Sequence, residues 1–86
     1  MPSDATTIES TIMALLSAAG PGRTVSPTEV AQAQHPGTDW HVLMPAVRRS
    51  AVQLALAGHL VIYRKGKPVD PTDFRGVYRL GLPRHD

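Results

Sequence analysis

The chain has 86 residues, a hydrophobic fraction of 42%, a charged fraction of 19% and a formal net charge of +2. That length bounds it to one domain with a modest core, since a chain of this size buries only about 60% of its unfolded surface, and the ordinary composition argues against wholesale disorder. No apolar run approaches the roughly 18–20 residues that cross a bilayer, the opening Met1-Pro2-Ser3-Asp4 lacks signal-peptide character, and there is no cysteine for disulfide or thiolate chemistry; the expectation is a soluble cytoplasmic protein that does not engage a membrane.

The first helix is read from spacing. Ile8, Ile12, Leu15, Leu16 and Ala19 form one stripe of a 3.6-residue period. Thr6 followed by Glu9 fits a capping box at its start, and Gly20-Pro21-Gly22 stops it. Thr24-Val25 is short and extended in character, which suits a very short strand. The second helix has the clearest start signal: Ser26 as N-cap, Pro27 at the first helical position and Glu29 three residues past the cap. Val30, Ala31 and Ala33 give it a small apolar face, and His35-Pro36-Gly37 ends it.

A third helix is predicted from about Trp40 to Ala57, with Thr38 or Asp39 as cap and Gly58 as its stop. Pro45 lies inside this span and removes a backbone donor, so the segment either kinks or opens with a short turn at 40–44 before the main helix. Leu43, Met44, Val47, Ala51, Leu54 and Ala55 converge on one face. Trp40 reads as an anchor for that core, the usual use of a large aromatic ring.

After Gly58 the period changes to two. Leu60 and Ile62 point one way and Val61 and Tyr63 the other, the pattern of a strand. A polar stretch from Arg64 to Gly76 follows, then a second strand, Val77 to Leu80; joined, they make a hairpin with an unusually long loop. The tail, residues 81–86, is expected to fray. The order helix, short strand, helix, helix, hairpin predicts an α+β fold: a winged helix (winged helix-turn-helix) of three helices plus a C-terminal β-hairpin wing, a single domain over residues 1–86 with its core at about 5–80.

Several segments also resemble a known family. Ser26-Pro27-x-Glu29-Val30-Ala31, Trp40-x-x-Leu43-Met44-Pro45-x-Val47-Arg48, Leu54-Ala55-x-x-Gly58, Gly66-x-Pro68-Val69-Asp70-Pro71 and Arg75-Gly76-x-Tyr78-Arg79-Leu80 are similar to a family of small bacterial domains of unknown function. The resemblance spans roughly residues 7–80. It implies a winged-helix-like fold and carries no activity, substrate or site residue.

Charge is divided along the chain. Arg23 against Asp4, Glu9, Glu29 and Asp39 leaves residues 1–43 at −3, and eight bases against Asp70, Asp73 and Asp86 leave residues 44–86 at +5. Such polarity points to an anionic partner for the C-terminal half, although a solvated basic surface looks the same in sequence. Catalysis is not expected. His35, His41, His59 and His85 lack zinc-ligand spacing, Asp70 and Asp73 read as turn residues around Pro71, and no glycine-rich loop opens a helix after a strand. No cofactor or metal is expected.

Two binding readings remain. In the first, duplex DNA is the partner: Arg48, Arg49, Ser50 and Gln53 on the third helix face base edges and phosphates, and Arg64, Lys65, Lys67 and Arg75 in or beside the wing neutralise phosphates. In the second, Val52 and Leu56, which the helical rotation places away from the core stripe, form an apolar patch for a homodimer or another protein. The DNA reading requires the helix and the wing to pool their cations on one surface.

Overall fold

The computed structural model describes residues 4–37 and 39–83, with side chains from Ile8 onward. Thr38, one of the two expected caps of the third helix, and the end of the tail at 84–86 lie outside the described residues. Helix α1 runs Asp4–Ala19. It begins two residues before Thr6, so Thr6 is a helical position and not the cap that the Thr6/Glu9 spacing suggested. Its stripe is as expected: Ile8, Ile12 and Leu16 are fully buried, with Leu15 and Ala19 packed at the edge of the same core. The Gly20 amide bonds the Leu16 carbonyl at 3.0 Å as the helix ends.

Strand β1, Thr24–Val25, leads into α2, Pro27–Gln34. The capping box at its start is complete. The Glu29 amide donates to Ser26 Oγ at 3.1 Å, and the Ser26 amide donates to Glu29 Oε2 at 2.6 Å; each satisfies a donor that the helix cannot. Val30 and Ala31 are buried, whereas Ala33 faces solvent. Thr11 Oγ1 donates to Gln34 Oε1 at 2.6 Å, tying α1 to the end of α2.

Of the two geometries expected around Pro45, the chain adopts the separate turn. Asp39–Leu43 form a 3₁₀ helix, and α3 runs Met44–Leu56 with Pro45 in its first turn, where the missing N–H costs nothing. Trp40 is half-buried against the core and stacks on the His41 ring at 3.7 Å. Val47, Ala51 and Leu54 turn inward against α1 and α2. At the C-terminus Gly58 takes φ 84° and the His59 amide returns to the Leu54 carbonyl at 2.9 Å, the wrapped ending that glycine permits.

Strands β2, Val61–Arg64, β3, Lys67–Pro68, and β4, Arg79–Gly81, join β1 in one antiparallel sheet of order β1-β4-β2-β3. Ile62 and Val25 both oppose Leu80 from its two sides, so one face of the sheet closes the helical core. Three helices with a strand entering between the first two, followed by this sheet, make an α+β winged helix. Gly81 pairs with Thr24 and Val61, so ordered structure runs past the point at which the tail was expected to fray.

The predicted dozen-residue loop is in fact two devices. Lys65 and Gly66, at φ 52° and 80°, make a two-residue turn with both central residues at positive φ, which is the geometry that matches strand twist. This turn returns the chain as β3, whose Pro68 is tolerated because β3 is an edge strand. The chain then crosses back from Val69 to Val77, and Phe74 and Tyr78, both buried, insert under α3. Asp70 nucleates the turn in between, accepting bonds from the Thr72 hydroxyl at 2.7 Å and the Thr72 amide at 2.9 Å. The hydroxyl, then the amide, hold the Asp70 carboxyl below its ordinary range.

Candidate anion-binding surfaces

The residues singled out on α3 divide sharply. Ser50 is buried, 2% exposed, and its hydroxyl has no hydrogen-bond partner among the described residues, so it does not face a ligand. Spacing explains the correction: Val47, Ser50, Ala51 and Leu54 stand at i, i+3, i+4 and i+7, which places Ser50 in the inward stripe. Arg48 is also engaged internally. Its Nη2 donates to the Phe74 carbonyl at 2.7 Å, and its guanidinium sits 4.0 Å from the Phe74 ring centre and 5.9 Å from that of Tyr78. The two rings meet edge to face at 5.1 Å. Arg48 is therefore a clamp holding the crossing segment to α3, and its charge is directed at aromatic faces instead of outward.

Arg49 and Gln53 remain. They are exposed, four residues apart and hence neighbours on one face of α3. Lys65 and Lys67 in the wing, and Arg75 in the crossing segment beside it, are exposed. Among the described residues, none of these five side chains makes a hydrogen bond or an ion pair. Of the two apolar residues considered for an interface, Val52 is half-buried and packed against the core, and only Leu56, 57% exposed, stands free of it.

A second basic surface was not foreseen. A cleft of about 580 Å³ opens on the face of the sheet turned away from the helices, lined by Arg23, Arg64, Lys65 and Arg79 together with Tyr63 and Leu82. Among the described residues, no carboxylate lines it. The expected pooling of wing and helix cations is not what this cleft shows: Arg64 and Lys65 converge with Arg23 and Arg79, and neither Arg48 nor Arg49 of α3 is in its lining.

Both strand arginines are held in place. Arg64 Nε donates to the Val77 carbonyl at 3.0 Å, and Arg79 donates from Nε to Thr24 Oγ1 at 2.6 Å and from Nη2 to the Thr24 carbonyl at 3.2 Å. Two glycines make room for the cleft's side chains. A Cβ on Gly76 would stand 2.8 Å from Arg64 Nη2, and one on Gly81 would stand 2.9 Å from Tyr63 Cε2. Sequence reading missed Arg23 and Arg79 because they are far apart in the chain, and only the β1–β4 pairing brings them together. The alternation of Tyr63 with Ile62 was the one available signal that its ring faces outward.

Neither Asp70 nor Asp73 lines the cleft. Among the described residues, no three His, Asp or Glu side chains converge in a way that would hold a metal, and no helix is long and apolar enough to cross a membrane.

A family model described as protein of unknown function (DUF3253) matches residues 5–83. Comparison with curated proteins gives no match.

Proposed function

The chain belongs to the DUF3253 family, and we propose that this member is a non-catalytic binding module for duplex DNA. The observation that carries this reading is the set of unengaged, exposed side chains on the two elements a winged helix offers to DNA. Arg49 and Gln53 stand on the second helix of the helix-turn-helix, Lys65 and Lys67 on the wing, and Arg75 in the crossing segment beside it. In this arrangement α3 enters the major groove, where Arg49 donates to a guanine edge or a phosphate and Gln53 reads an adjacent base. The lysines neutralise phosphates along the flanking backbone and set orientation without reading sequence. Arg48 and Ser50 take no part, being committed to the interior.

Fluorescence anisotropy with a labelled mixed-sequence duplex at low salt tests the reading. Binding is expected, weakened several-fold by Lys65→Ala with Lys67→Ala and again by Arg49→Ala. Gln53→Ala is expected to alter preference among sequences more than overall affinity. A wild-type protein that leaves the duplex anisotropy unchanged at low salt overturns the proposal.

A further inference from the structure

We propose that the cleft on the outer face of the sheet is a ligand site for a phosphorylated aromatic small molecule, of which a nucleoside monophosphate is the simplest kind. This inference does not rest on the DNA reading. Its volume, about 580 Å³, lies in the range of small-molecule sites and is ample for one nucleotide-sized ligand.

The lining has two chemically distinct parts. One is cationic: Arg23, Arg64, Lys65 and Arg79 approach from the loop before β1, the end of β2, the wing turn and β4. Among the described residues, no carboxylate lines the cleft and none of these four cations makes an ion pair. Arg64 and Arg79 are also oriented in advance. The bonds to Val77 and Thr24 occupy Nε of both and Nη2 of Arg79, leaving both terminal nitrogens of Arg64 and Nη1 of Arg79 to donate. Pre-set guanidinium groups lose little entropy on meeting a phosphate, and their planar forks can donate in pairs to two of its oxygens.

The other part is apolar. The Tyr63 ring lies so close over Gly81 that the smallest added side chain would collide with it at 2.9 Å, and Leu82 and Val77 continue the wall. Among the described residues, Val77 is the most exposed large apolar residue, 84% exposed, and it stands at this rim. A phosphodiester backbone alone would use the cations and leave this wall wet. A ligand with a flat ring and a phosphate uses both, the ring against Tyr63 and the phosphate among the arginines.

The test is a titration of the isotope-labelled full chain with adenosine monophosphate, adenosine and inorganic phosphate, each followed by amide chemical shifts. Adenosine monophosphate is expected to move amides at 22–24, 63–66 and 77–82, and to bind at least about tenfold more tightly than either of its parts. Arg23→Gln, whose exposed side chain makes no hydrogen bond or ion pair among the described residues, is expected to weaken that binding about tenfold with an unchanged melting temperature. Tyr63→Leu is expected to bring the monophosphate down to the affinity of phosphate.

Three results overturn the proposal: no cleft amide moves below about 1 mM monophosphate, phosphate alone matches the nucleotide, or a DNA duplex moves these amides and the nucleotide does not. Arg49→Ala with Lys67→Ala, both outside the cleft, separates the two functions. That variant is expected to lose duplex binding and keep the nucleotide, so failure of either reading is seen independently.

Discussion

Arg48 separates a structural cation from a binding cation, and Arg48→Met isolates the difference. Methionine keeps much of the aliphatic stem and the helix propensity, and it removes the guanidinium. Two interactions are lost. The partly buried cation over Phe74 at 4.0 Å contributes about 1 kcal/mol, and the charge-assisted bond to the Phe74 carbonyl at 2.7 Å contributes about 1.5 kcal/mol. Their sum predicts a loss of roughly 2–3 kcal/mol. With a urea dependence near 1 kcal/mol/M for a domain of this size, the unfolding midpoint falls by about 2 M, and the melting temperature falls by roughly 10–20 °C. Urea unfolding followed by circular dichroism reads the first quantity directly. Duplex affinity, measured where the variant is fully folded, is expected to stay at the wild-type value. A stability loss under about 0.5 kcal/mol together with weakened duplex binding would refute the reasoning, because it would mean the guanidinium works outside the protein.

Three further outcomes concern stability and ionisation. Ser50→Ala removes a buried hydroxyl that has no partner and installs a better helix former, so stability measured by urea unfolding is expected to hold or to rise by up to about 1 kcal/mol. Burial pushes the Tyr78 phenol above its ordinary value of 10.0, against a smaller opposing pull from Arg48. A folded pKa above the unfolded one means that this contribution to stability is complete below about pH 10 and is lost as pH rises through the folded value. An absorbance titration is expected to show a late-ionising tyrosine that Tyr78→Phe abolishes. Ser26→Ala breaks both halves of the capping box and is expected to cost about 1 kcal/mol in the same urea assay.

Most local signals in the chain were reliable, the Thr6/Glu9 capping box excepted, because α1 already begins at Asp4. The Ser26 box and the Gly58 ending depend on residues within a few positions of one another, and each appears as read; around Pro45 a kink and a separate turn were both open, and the turn is what forms. The strand that starts after Gly58 and its pairing with the last strand were likewise legible from the period of two. What escaped the sequence depends on partners far along the chain. Arg48 looked like a free cation because Phe74, 26 positions away, stood in a polar stretch that read as loop; a lone phenylalanine in such a stretch was itself a hint of burial. The Lys65-Gly66 turn lacks the asparagine or aspartate that usually announces this geometry, so one tight hairpin and a crossing segment merged into an apparent long loop. Ser50 was misplaced for a different reason: its polarity was given more weight than its position in the 47–54 stripe.

The cleft shows the same limit in its strongest form. Arg23, Tyr63 and Arg79 come from three separate strands or loops, and no window of sequence contains two of them. Sheet order β1-β4-β2 is what makes them neighbours, and Gly81 in the central strand is what lets the Tyr63 ring settle between.

The most direct test of the account is the salt dependence of duplex binding. Arg49, Lys65, Lys67 and Arg75 are the four exposed, unengaged cations assigned to phosphates, and neutralising about four phosphates predicts a slope of log affinity against log salt near −3.6. Replacing Lys65 and Lys67 with alanine should flatten that slope to about −1.8. A wild-type slope near zero, or one that the double replacement leaves unchanged, would contradict the claim that the wing meets the DNA backbone.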